Sequence, residues 1–137
     1  MKKRIYFTHC TSKKDDSLKD TGIEVSPDEL YVGKKIQGFI KQCKSKNVEW
    51  AIFSDKYGIW FPQVKHVWYE KSPNEVTDNE FRELVAESYE RLKPFDEIYF
   101  YANYRSPRFH HLYKELHEKL LDNGLNIQLI SRKEDIE

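Results

Sequence analysis

Short runs of β-forming residues alternate along the chain with longer stretches in which apolar side chains recur every three or four positions. Lys3 to His9 (KRIYFTH) is the first such run; it ends abruptly in polar residues and predicts a strand. Cys10 to Val25 is polar, charged and aperiodic, which predicts a long loop of the kind that is often functional or mobile. Ser26-Pro27-Asp28-Glu29 is a helix start: Ser26 can cap, Pro27 suits the first turn, and Glu29 completes a capping box. Val32, Ile36, Phe39, Ile40 and Cys43 follow at helical spacing, so one helix is expected here, with Cys43 in the core as a small hydrophobe.

Glu49 to Ser54 (EWAIFS) predicts a second strand, apolar enough to be covered on both faces. Asp55 to Gln63, with Gly58 and Pro62, reads as a loop, and Val64 to Tyr69 as a short extended piece. Asn74 to Asp78 offers caps for a second helix bearing Phe81, Leu84, Val85, Tyr89 and Leu92 on one face, ended by Pro94. Glu97 to Tyr101 (EIYFY) is the third expected strand. Ser106-Pro107 then opens a third helix with Phe109, Leu112, Tyr113, Leu116, Leu120 and Leu121 as its expected buried stripe and Gly124 at its end. Asn126 to Ile130 (NIQLI) is the fourth strand, and no internal repeat or low-complexity segment interrupts the pattern.

Strands alternating with amphipathic helices predict an α/β fold, a small Rossmann-like three-layer domain with a mostly parallel sheet of about four strands and three main helices. The 137 residues suffice for one domain, expected over 1–132, with a charged tail, 133–137, that frays. Hydrophobic residues at 39% and aromatics at 15% supply its core. The 23 basic and 23 acidic residues cancel, which argues against a general polyanion binder working through a basic field. Two cysteines make no disulfide framework, no apolar run is long enough to span a membrane, and the basic N-terminus lacks the apolar stretch of a signal peptide. A cytoplasmic location is expected.

In parallel α/β sheets, ligands bind outside the carboxyl ends of the strands. The segments expected there carry His9, Cys10, Thr11, Ser12, Lys13 and Lys14, then Ser54, Asp55, Lys56, Tyr57 and Gly58, then Asn103, Tyr104 and Arg105, then Ser131, Arg132 and Lys133. Cys10, with Lys13 and Lys14 beside it, reads either as a nucleophile of lowered pKa or as a packing cysteine. Lys13 and Lys14 are candidates for holding a phosphate or acting as a base, against the alternative of solvated lysines, and Lys56, beside Tyr57-Gly58, is a further candidate against the alternative of an ordinary turn. Arg105, just before Ser106-Pro107, reads as an anion clamp at a helix start or as a surface arginine. His110 and His117 share a helix face, but no acid or cysteine there completes a zinc set, and no metal or cofactor is expected. The patterns GxGxxG, GxxxxGK[ST] and GxSxG are all absent. Trp60, Phe61, Trp68 and Tyr69, near Lys56 and Lys65, could stack bases or pack a lid over the sheet edge.

Four short motifs occur in one order. Cys10-Thr11-Ser12-Lys13-Lys14 matches C-[S/G]-x-x-K with Thr11 in the small position, and Leu30-Tyr31-Val32-Gly33 matches L-Y-x-G. Trp50 to Gly58 matches W-x-I-L-S-A-K-Y-G with Asp55 in place of a small residue, and Tyr104-Arg105-Ser106-Pro107 matches Y-R-x-P. In these motifs the chain resembles a bacterial and archaeal domain family of unknown function, distantly similar to the peroxide-stress YaaA proteins. The family's glycine-containing C-terminal segment has no counterpart in Lys133 to Glu137. The resemblance adds Tyr31 and Gly33 to the candidate ligand-binding residues and implies a connection with nucleic-acid or modified-base metabolism. The expected function is a pocket for a nucleotide, nucleobase or other phosphate-bearing ligand, with enzymatic turnover left open. The alternatives are a non-catalytic nucleic-acid-binding module and a protein-interaction domain.

Overall fold

β1 (Arg4–His9) buries four consecutive residues, Ile5 to Thr8, because it lies at the centre of the sheet with a strand on either side and helices above and below. The computed structural model describes residues 2–137. β1 pairs in parallel with β2 (Glu49–Ser54), Phe7 opposite Ala51, and with β4 (Glu97–Tyr101), Phe7 opposite Phe100. β5 (Ile127–Ile130) adds in parallel outside β4, and β3 (Gly58–Trp60) pairs antiparallel with β2, giving the order β3-β2-β1-β4-β5. The result is an α/β fold with a mostly parallel sheet of five strands and four helices.

Four helices complete it: α1 (Pro27–Leu30), α2 (Lys34–Ser45), α3 (Asp78–Leu92) and α4 (His111–Asp122). The alternation of side chains along the strands sorts them. Phe7 stacks on Phe100 at 4.6 Å, and Phe100 meets His117 of α4 edge-on, so α4 covers that face, with α3 packed beside it. On the opposite face Tyr101 stacks on Phe39 of α2 at 5.4 Å, and Tyr6 stacks on Tyr99 at 4.7 Å. From β1 the chain runs outward to β2 on one side and returns to β4 on the other. The connections therefore diverge between β1 and β4, leaving a crevice at their carboxyl ends. No helix among the described residues is long and apolar enough to cross a membrane.

The structure departs from the sequence pattern in four places. The first expected helix is two. After the single turn of α1, Tyr31 pairs with Lys14 of the long loop, Val32 N–H donates to the Lys13 carbonyl, and α2 starts afresh after Gly33. Backbone pairing with the loop thus outcompetes helical spacing, and Val32 is left 41% exposed. Within the expected loop Asp55 to Gln63, residues 55–57 turn the chain so that β3 folds back on β2, with Gly58 at φ 72°. α4 starts at His111 rather than after Ser106, because the His110 imidazole accepts from Leu112 N–H and caps it; Ser106 to Phe109 is a turn. The tail expected to fray forms a 3-10 turn, Lys133–Asp135, and buries Ile136 to 1% exposure against the core. Cys43 is fully buried, as the spacing of its helix predicts.

Candidate ligand site at the strand ends

A cavity of about 640 Å³ opens at the carboxyl ends of β1, β2 and β4, where the chain connections diverge. His9 and Cys10 leave β1 into it, Asp55 leaves β2, and Asn103 follows β4. The segment from Glu70 to Glu75 forms one wall; Ser106 to His110 and Tyr113 form the other. Asn74 and His110 join the two walls through a 2.7 Å hydrogen bond. Since His110 Nδ1 accepts from Leu112 N–H, its Nε2 is the nitrogen that carries the proton and donates to Asn74 Oδ1.

Tyr113 organises the floor. Its hydroxyl donates to Asp55 Oδ1 at 2.9 Å and lies 3.5 Å from Cys10 Sγ, which is left to donate its thiol proton to the phenol oxygen. Asp55 is only 3% exposed. Burial lifts its carboxyl from the ordinary 3.8 to about 6, against the opposing pull of the Tyr113 hydrogen bond and the Lys14 and Lys71 charges. A buried carboxyl titrating near neutrality can take or give a proton within the physiological range. Below it, Ser54 Oγ accepts from the N–H groups of Lys56 and Tyr57 and donates to the Tyr69 hydroxyl, which is bonded in turn to Tyr31. This network fixes the turn that presents Asp55.

The positive groups stand higher. Lys14 lies over the Tyr69 ring at 4.6 Å, and Lys35 and Arg108 border the cavity from α2 and from the approach to α4. Lys71 pairs with Glu80, while Glu70 and Glu75 set carboxylates on the same rim. The site is therefore mixed in charge, with its cations nearest the wall of Cys10 to Lys14 and that of Arg108.

The residues named from sequence divide into three groups. Cys10, Thr11, Ser12 and Lys14 line the cavity. Tyr31 and Ser54 lie buried under it and hold its floor; Gly33 lets α2 approach Thr11, whose hydroxyl would sit 3.4 Å from a Cβ there. Lys13, Lys56, Tyr57, Gly58, Tyr104 and Arg105 do not border it. Lys56 is exposed, its ammonium 5.4 Å from the Tyr57 ring; Tyr57 stacks on His66 and Gly58 packs against Arg91. Tyr104 bonds His117, and Arg105 is exposed, away from the start of α4.

Two readings left open by the sequence are narrowed by the structure, each toward its packing alternative. Cys10 is 4% exposed, and burial, reinforced by the Asp55 charge, pushes its thiol up to about 12, opposite to the activated thiolate that neighbouring lysines suggested. Trp60, 1% exposed with Nε1 donating to the Val64 carbonyl, and Tyr69, 3% exposed, are packed inward, so neither offers a face to a base.

No family model, curated protein or solved structure matches this chain.

The site residues that sequence alone passed over are Lys35, Lys71, Arg108 and Tyr113, whereas His9 and Asp55 stand in the segments expected at the strand ends. His9 and Asp55 end strands, the position that places a side chain at the crevice, and this signal was legible. Lys35, Arg108 and Tyr113 belong to helices or their approaches, and only packing brings them over the strand ends.

Proposed function

We propose that the protein binds a nucleotide, nucleobase or other phosphate-bearing small molecule in the cavity at the carboxyl ends of its parallel strands, with Asp55 exchanging a proton with the ligand. The observation that carries this reading is the pairing of a buried carboxyl of raised pKa with cations on the rim above it. Lys14, Lys35 and Arg108 suit the anionic end of such a ligand, and His9, Phe109 and Tyr113 give an aromatic wall for a flat ring. The volume is that of a small-molecule site. A Rossmann-like three-layer description of the fold agrees with a ligand in this crevice, as does the resemblance of the motif residues to the YaaA-like family. Cys10 acts as a wall residue whose thiol stays protonated. A nucleic-acid-binding module would need exposed aromatics beside cations; the inward packing of Trp60 and Tyr69 removes two of the four candidates and leaves the half-buried Phe61 and Trp68, the latter with the Lys19 ammonium 5.3 Å from its ring.

The test is a thermal-shift panel of nucleotides, nucleobases, simple phosphates and short oligonucleotides on the wild type, a Lys14→Ala, Arg108→Ala double variant, and Lys56→Ala. A ligand at a hundredfold excess over its dissociation constant stabilises the native state by about 2.7 kcal/mol. The expected result is a shift with one class of phosphate-bearing compound, kept in Lys56→Ala and lost in the double variant. A shift equally lost in Lys56→Ala, or no shift with any compound, would overturn the proposal.

A further inference from the structure

We propose that the imidazole of His9 is a second ligand-facing proton acceptor of this cavity, offering its Nε2 lone pair while Nδ1 donates to the Cys10 carbonyl. The inference rests on the reading of the cavity as a ligand site and adds to it a residue and a role. The hydrogen bonds determine the tautomer. His9 Nδ1 lies 2.9 Å from the Cys10 carbonyl oxygen, which can only accept, so Nδ1 carries the proton. Nε2 has no hydrogen-bond partner among the described residues. It is also not one of the fully buried polar atoms left without a partner, which are Thr11 Oγ1, Trp68 Nε1 and Ser88 Oγ. Nε2 therefore meets open space, and the cavity is the open space that His9 borders.

The ring has little freedom to turn away. It stacks on Tyr113 at 4.3 Å and 11°, with Phe109 edge-on at 5.4 Å and Phe100 at 6.4 Å. The charged group that acts on it is the Lys35 ammonium of α2, which borders the same cavity. Burial disfavours the imidazolium most; the bond to Cys10 favours it, and the Lys35 ammonium adds a smaller push against it, so the net direction is downward, toward the neutral ring. Tyr113 thus supports both groups at once: His9 lies on its ring face, and Asp55 is held by its hydroxyl. One rigid residue sets the spacing between an imidazole that accepts a hydrogen and a carboxyl that titrates near neutrality. The arrangement suits an anionic small molecule carrying an N–H or O–H group that points inward from its charged end.

The experiment compares the wild type with His9→Asn, in which the amide N–H can still donate to the Cys10 carbonyl but nothing replaces Nε2. Nitrogen-labelled imidazole spectra of the ligand-free wild type should show His9 as the Nδ1–H tautomer at neutral pH. Inorganic phosphate and adenosine monophosphate, the latter carrying both an anion and hydrogen donors, are the binding probes. In His9→Asn the affinity for adenosine monophosphate should fall about tenfold, the loss of one hydrogen bond of roughly 1.4 kcal/mol, with phosphate affinity unchanged. A His9 spectrum of the Nε2–H tautomer, or equal adenosine monophosphate affinity in both proteins, would overturn the proposal. Failure of the underlying ligand reading is recognisably different: neither probe binds the wild type whatever tautomer His9 shows, and this inference falls with it.

Discussion

Replacing Asp55 by Asn should stabilise the fold at neutral pH while weakening the site. The rise of its carboxyl from the ordinary 3.8 to about 6 corresponds to roughly 3 kcal/mol by which the fold disfavours the ionised form. Between those two pH values the folded chain still holds a proton that the unfolded chain has released. Stability therefore falls as pH climbs through this window and levels off above it. Asn removes the titration and keeps an oxygen to accept from the Tyr113 hydroxyl, whose bond to Asp55 is 2.9 Å. Its amide N–H group has no assured partner on the floor, which returns about 1 kcal/mol of the gain. The net expectation near neutral pH is a variant more stable by about 2 kcal/mol, shrinking to nothing or reversing at about pH 4. Urea denaturation followed by fluorescence of the buried Trp60, at a series of pH values, measures this directly. A variant less stable than wild type at neutral pH, or a stability gap independent of pH, would refute the account of Asp55 as a destabilised carboxylate. The thermal-shift panel on the same variant should show weaker ligand stabilisation, as expected when a stabilising change removes a working group.

Three further perturbations test other parts of the structure. Native Cys10, with its thiol pushed up to about 12, should react with iodoacetamide at neutral pH at least ~100-fold more slowly than in urea; rapid native labelling would restore the nucleophile. Gly58→Ala should cost about 1–2 kcal/mol by urea denaturation, since φ is 72° and the new Cβ would sit 3.4 Å from Arg91 Nη1; a neutral outcome would mean the β2–β3 turn can relax. Arg91 donates to the carbonyls of Tyr57 and Ile59, so displacing it loosens the same turn. Ile136→Ala should cost about 2–4 kcal/mol, the price of emptying a core position that is 1% exposed, whereas a loss below about 0.5 kcal/mol would show that the tail does not pack.

Periodicity and punctuation along the chain were enough to locate β2 and β4 to the residue, β1 and β5 to within one, the α3 stripe, Leu112, Tyr113, Leu116 and Leu120 of the α4 stripe, and the burial of Cys43; Leu121, expected in that stripe, is 42% exposed, and Phe109 lies before the helix. These are local properties: a strand covered on both faces must be continuously apolar, and a helix lying on it must repeat its apolar residues every turn. The strand-end rule likewise pointed from sequence to Cys10, Thr11, Ser12 and Lys14. What the chain order could not carry was competition between distant segments. Tyr31 leaves a helical pattern because Lys14 offers backbone pairing, β3 is only three residues long and exists because β2 is there to receive it, and the tail that buries Ile136 is tied to β1 by Glu137 N–H donating to the Tyr6 hydroxyl. The same holds for ionisation. Lysines next to Cys10 in sequence suggested a lowered thiol pKa, yet Tyr113 and Asp55, 103 and 45 positions away, enclose it and drive it upward. Desolvation depends on every atom that surrounds a group, and that enclosure is set by tertiary packing, so the site's residues could be named in part from sequence while their protonation states could not.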